Sequence, residues 1–252
     1  MTFEIDSLAE SSLCSLYGVP DLRPPCRTDQ MWSHAIAGLP RAGSTALAAV
    51  LSQHPRVRVS LDPQEGAIWK SRDAMASAPV MLARATLGMW PRIVCPVRPV
   101  VEILASYLSL MRRNTMLSLM EFEARQRGYP ATDAGRCDYL TGPHGNVGMS
   151  LSALRTAVLD FSDAILLVPY RDLTADPVAT LRSIERFFGL YAHSYDFGNL
   201  VNPVPEDDVA RYALAGLHDV RATLSVASPD PCAVLGDELF ERYSSAEWDI
   251  PV

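Results

Sequence analysis

The stretch that most constrains this chain runs over residues 32–52. A short apolar run, residues 32–39, breaks at Pro40-Arg41-Ala42-Gly43-Ser44 and gives way to an alanine-rich segment from Thr45 to about Ser52. That order reads as strand, tight loop and helix. His54-Pro55 closes the helix, because the residue before a proline is biased out of helical backbone. Residues 57–61 alternate as a second strand, residues 92–97 make a third, and the fully apolar residues 164–168 read as a strand buried on both faces of a parallel sheet. Helices are expected over about 100–111, 117–127, 151–159 and 237–243, with another from Asp176-Pro177 to Phe188 that Gly189 caps. Strands alternating with helices predict an α/β fold with a central parallel sheet flanked by helices, as one domain over residues 1–252. Within it, residues 1–30 read as a lead-in segment and residues 198–252 as an irregular C-terminal cover.

Composition narrows the function. The 252 residues carry 22 basic and 29 acidic side chains, a formal net charge of −7, which argues against a nucleic-acid binder. With 48% hydrophobic and 20% charged residues the chain can bury a sizeable core. No apolar run approaches the roughly 18–20 residues of a membrane span, and the first residues show no basic stretch followed by an apolar one, so a cytoplasmic chain is expected. Five scattered cysteines without a C-x-x-C pair, and five histidines without an H-E-x-x-H pattern, predict neither a disulfide framework nor a metal site. All but one of the basic residues are arginine; the exception is Lys70.

The segment Gly38-Leu39-Pro40-Arg41-Ala42-Gly43-Ser44-Thr45 joins a strand to a helix N-terminus. Backbone N–H groups there lack intrahelical partners, and the helix dipole favours an anion. Gly43 permits close backbone approach, while Ser44 and Thr45 add hydroxyl donors. The loop is not the nucleotide-triphosphate pattern G-x-x-x-x-G-K-[ST], because Gly43 stands where the lysine would be. It resembles instead the 5′-phosphosulfate loop of sulfotransferases, in the form found in bacterial and phage-borne members and in the tyrosylprotein branch. The segment Val97-Arg98-Pro99 with Ser106 eight residues after the arginine resembles that family's 3′-phosphate segment, with Pro99 replacing the usual acidic residue. Val168-Pro169-Tyr170-Arg171-Asp172-Leu173 with Phe187-Phe188-Gly189 is similar to a third, with Arg171 again replacing an acidic residue.

The resemblance implies a P-loop-containing sulfotransferase-like fold and transfer of a sulfuryl group from 3′-phosphoadenosine 5′-phosphosulfate (PAPS) to a hydroxyl or amine, leaving adenosine 3′,5′-bisphosphate (PAP), with no metal required. It implies that Arg41, Ala42, Gly43, Ser44 and Thr45 hold the 5′ side of the nucleotide, that Arg98 and Ser106 hold the 3′-phosphate, and that Tyr170 lies near the nucleotide. Arg41 and Lys70 would stabilise charge on the leaving oxygen. Alignment to the tyrosylprotein branch puts Asp62 where that branch carries its catalytic glutamate; Glu65 and His218 are further candidates for the general base, with His144 behind them. Trp69, Trp90 and Tyr139 either line an acceptor pocket or pack in the core. The acceptor is expected to be a small molecule or a peptide. The alternatives are a P-loop kinase or other nucleoside-phosphate transferase, and a non-catalytic protein of the same fold.

Overall fold

A five-stranded, all-parallel sheet forms the centre of the molecule, with strand order β2-β3-β1-β4-β5. The computed structural model describes residues 34–62, 67–71, 92–114, 116–225 and 230–245. The strands are β1 (Ala35–Ile36), β2 (Val59–Ser60), β3 (Ile68–Lys70), β4 (Ile93–Val97) and β5 (Ile165–Pro169). In register, Ile36 lies beside Lys70 and Val94, and Val97 beside Pro169. From β1 the chain moves to one side for β2 and β3, then crosses to the other for β4 and β5. In parallel sheets such a reversal opens a crevice at the carboxyl ends of the strands, where ligands bind.

Helices cover both faces. Side chains alternate along a strand, so Ala35, Ile93, Cys95 and Val97 face one core while Ile36, Val94 and Val168 face the other. The first core is closed by α2 (Val100–Arg113), α4 (Asp133–Thr141), α5 (Asn146–Phe161), α9 (Pro231–Leu235) and α10 (Asp237–Tyr243), with α3 (Leu119–Gln126) adding Ala124. The second is closed by α1 (Ser44–Leu51), α6 (Tyr170–Ala175) and α7 (Pro177–Phe188); α8 (Asp208–Tyr212) lies in the C-terminal segment. Helix α1 has Leu47 to Leu51 all buried, as its alanine-rich sequence requires. Helix α2 is amphipathic, with Ile103, Leu104, Tyr107, Leu108 and Met111 inward and Arg112 and Arg113 complementing its C-terminal dipole.

Several expectations change in detail. The run 164–168 supplies β5, and its side chains alternate between the two cores, Ile165 and Leu167 toward one and Leu166 and Val168 toward the other. As the last strand of the sheet it is only partly buried, with Val168 its one fully buried residue. Lys70 ends a strand, β3, that the sequence reading did not contain. Residues 133–141 form a helix not among those expected, and α5 begins at Asn146 rather than near 151. Asp176 caps α7 by accepting the Ala179 N–H at 3.0 Å, Pro177 opens it, and Gly189 ends it at φ 70°, as the sequence predicts. The lead-in segment and the residues Trp32, Glu65 and Trp90 lie outside the described residues. Among the described residues no helix is long and apolar enough to cross a membrane.

Candidate active site at the carboxyl ends of the strands

Because the strands are parallel, the residues that end or follow β1, β3, β4 and β5 emerge at one edge of the sheet. They carry Arg41, Lys70, Arg98 and Tyr170, and all four line one cavity of about 570 Å³. Gly43, Ser44, Thr45, Ser106 and His218 line it too.

The loop after β1 is tightly bent. Its first turn is anchored by the Leu39 N–H on the Pro96 carbonyl at 3.0 Å. Arg41 then takes φ 57° and Gly43 φ 94°, both in the left-handed region. Gly43 is the N-cap of α1 and provides no side-chain cap, so the first amides of the helix are left for another acceptor. A Cβ on Gly43 would come within 2.6 Å of the Tyr170 ring, so the glycine is what lets this ring close over the loop. Ala42 is fully buried and faces the core rather than the cavity.

The Arg41 side chain reaches across the cavity. Its Nε donates to Ser106 Oγ at 3.2 Å and its Nη1 donates to the Leu217 carbonyl, tying the loop to α2 and to the C-terminal segment. Burial pulls its pKa below the ordinary arginine value. A desolvated guanidinium of this kind gains strongly from an anion. Arg98 is 7% exposed, donates from Nη1 to the Arg41 carbonyl at 3.2 Å and lies over the Tyr170 ring at 4.9 Å from its centroid. Its Nε donates to Glu102 at 2.8 Å, so an acid in the first turn of α2 pairs with the arginine where Pro99 replaces the adjacent one. Tyr107, behind Ser106, is pushed up to about 12 by burial, against the opposing effects of Arg41 and of the Asn146 amide that donates to its hydroxyl at 2.6 Å.

Lys70 is 2% exposed, its ammonium 4.0 Å from the Glu206 carboxylate, which is not how a solvated surface lysine sits. His218 contacts two acids that the sequence reading missed, Glu206 and Asp208. The only sequence signal for them is the acidic run Glu206-Asp207-Asp208 after Asn202-Pro203-Val204-Pro205. The other base candidates are elsewhere. Asp62 is exposed after β2, its N–H bonded to Ser60 Oγ at 3.2 Å, and is not among the cavity-lining residues; Glu65 lies outside the described residues. His144 is exposed at the cavity rim. Tyr139 lines the cavity and donates to Glu123 at 2.6 Å, whereas Trp69 packs against the core and donates to the Leu61 carbonyl at 3.1 Å. Arg171 points to solvent, 86% exposed, beside Asp172.

No protein-family model matches the chain, and no curated protein matches it in sequence. Among solved structures, the chain is similar to a sulfotransferase from Alicyclobacillus acidocaldarius, with a TM-score of 0.48 at 15% identity over 65% of this chain and 83% of that one. Mouse sulfotransferase SULT7A1, solved in complex with PAP, gives 0.48 at 14% identity over 67% of this chain and 60% of its own. The sulfotransferase domain from the curacin biosynthetic pathway gives 0.39 at 15% identity over 76% and 59%. The chain therefore spans less than two thirds of the length of the latter two.

Proposed function

We propose that this protein is a sulfotransferase that uses PAPS as donor and a hydroxyl or amine as acceptor. The observation that carries the reading is the convergence of Arg41, Lys70, Arg98, Ser106 and Tyr170 on one cavity, beside a helix N-terminus that lacks a side-chain cap. These residues come from four separate strand ends and one helix, and every phosphate-directed group among them is a donor.

The donor set fits a doubly phosphorylated nucleotide. Arg98 and Ser106 grip the 3′-phosphate, and the amides of residues 43–45 with the Ser44 and Thr45 hydroxyls hold the 5′ side. Tyr170, whose ring closes over the loop in the space that Gly43 leaves open, offers a ring face for the nucleotide. When bound, the donor supplies the sulfuryl group and a phosphate oxygen as leaving group. Arg41 and Lys70 stabilise the charge that gathers on that oxygen, a role that desolvation strengthens. His218, at the cavity wall with its Nδ1 already engaged, accepts the proton of the acceptor. The acceptor is a small molecule or a peptide side chain small enough to share the cavity with the nucleotide.

Calorimetric titration tests the reading. PAP should bind the parent protein more tightly than ATP with magnesium. Arg98→Ala should weaken PAP at least about tenfold while weakening the 3′-dephosphorylated nucleotide far less, because only PAP carries the group that Arg98 grips. Preference for ATP with magnesium, or equal losses for both nucleotides, would overturn it.

A further inference from the structure

Across the cavity from the phosphate loop, residues 206–218 bring two buried carboxylates to one imidazole. Asp208 Oδ1 lies 2.6 Å from His218 Nδ1, and Asp208 Oδ2 accepts the His218 backbone N–H at 2.8 Å. The aspartate thus grips the histidine twice and fixes the ring relative to its own main chain. Asp208 is 8% exposed. Glu206, with its side chain 4% exposed, stands between the histidine and the lysine: Oε1 is 3.8 Å from His218 Nδ1 and 4.0 Å from Lys70 Nζ, and Oε2 is 3.8 Å from Arg211 Nη1.

Burying two acids directly behind the wall of a cavity built to hold an anionic nucleotide is costly unless each is needed there. Asp208 contacts the base, and Glu206 stands near both the base and the lysine. We propose that Asp208 and Glu206 are positioning residues that make His218 and Lys70 one working unit, an inference that rests on the sulfotransferase reading of the site. Asp208 accepts from Nδ1–H, which sets the tautomer and leaves Nε2 as the proton acceptor on a cavity-lining residue. Glu206 supplies the countercharge that keeps the Lys70 ammonium at the end of β3 instead of letting it swing toward solvent.

The step balances as follows. His218 Nε2 takes the proton of the acceptor hydroxyl while the acceptor oxygen forms its bond to sulfur. The bond from sulfur to the bridging phosphate oxygen breaks, and its electron pair stays on that oxygen, beside Lys70 and Arg41. The imidazolium so formed is balanced by Asp208 and Glu206, and later releases its proton to solvent. Sulfate ester and PAP leave.

Two measurements on the full chain test this. Nitrogen–proton correlation spectra of the unliganded protein, with His218 assigned through His218→Gln, should show the Nδ1–H form in the parent and its loss in Asp208→Asn. In turnover, Asp208→Asn should lower kcat about 10²–10⁴-fold, the range of a lost general base, with PAP affinity within about twofold of the parent. In a His218→Gln background the same change should cost no more than about twofold, because a residue that acts through another has nothing left to act on. Glu206→Gln should likewise lower kcat in the parent and change it little in a Lys70→Arg background. An Nε2–H histidine in the parent overturns the role of Asp208. So does an equal loss from Asp208→Asn in both backgrounds, which marks a merely structural acid; the same equality for Glu206→Gln overturns the link to Lys70. A parent that binds no PAP looks different: it removes the sulfotransferase reading and the catalytic use of the pair with it, while the spectrum still decides whether Asp208 sets the tautomer.

Discussion

Arg41 holds a backbone conformation that crowds the Cβ of any side chain against the following carbonyl, at a cost of roughly 1–2 kcal/mol. The residue there is nonetheless a long cation, which points to a use for its guanidinium and not to a merely permissive turn. Two positions on, Gly43 has the same handedness but no Cβ, and the Tyr170 ring occupies the space a methyl would need. Gly43→Ala should therefore strain the loop and push Tyr170 away. We expect PAP affinity to fall at least about tenfold and stability to drop by roughly 1–2 kcal/mol, read by calorimetry and by urea denaturation. Unchanged binding would show that the loop adapts. The sequence made the geometry of this loop legible because Pro40 and Gly43 interrupt an apolar run at the point where a strand gives way to a helix. It did not make the partners of His218 legible. Aspartates and glutamates are common in exposed loops, and only the fold shows that Asp208, ten positions earlier, turns back onto the ring.

Elements with local punctuation were the ones readable in advance. Helix α7 carries its start and stop in Asp176, Pro177 and Gly189, and all three act as expected. Asp176→Ala removes the acceptor of the Ala179 N–H and should cost about 1 kcal/mol, or roughly 2–4 °C in Tm for a chain of this size; Asp176→Asn should restore most of it. A Tm unmoved by Asp176→Ala would mean that α7 is held by packing alone. Strand β3, only Ile68–Lys70, is too short to show a period, and its pairing with β1 and β2 is what defines it. Helix α4 contains Gly135 and few apolar residues; packing of Cys137, Tyr139 and Leu140 in the core sustains it. Strand β5 is apolar enough for the middle of a sheet, yet lies at its edge, because strand order depends on crossovers that no local pattern records.

At the scale of the whole molecule, His54 joins the segment after α1 to the segment after α7. It is 1% exposed, its Nε2 is 3.1 Å from the Tyr191 carbonyl, and its ring packs on Tyr191 and His193. Burial lowers its pKa below the ordinary histidine value, so the folded protein binds this proton less readily than the unfolded chain does. Its contribution is then fully present above the unfolded-state pKa of about 6.5 and declines as pH falls below it. Urea midpoints should fall between pH 7.5 and 5.5 in the parent, and by less in His54→Gln; an equal fall in both would remove His54 from the acid response.

The strand order also has a consequence in time. Strand β1 pairs with β3 and β4, and β4 with β5, so the sheet closes only after long intervening segments have been drawn in. Parallel pairings of this kind are slow to form, because chain entropy is lost before the contacts reward it. The cavity then waits for Leu217 and His218, which lie far beyond the last strand. Competence to bind is thus the last property a refolding molecule acquires. In a refolding experiment, fluorescence from a bound PAP analogue should lag behind far-ultraviolet circular dichroism, and coincident traces would refute the delay. A ribosome that has delivered the entire sheet has still not delivered the site.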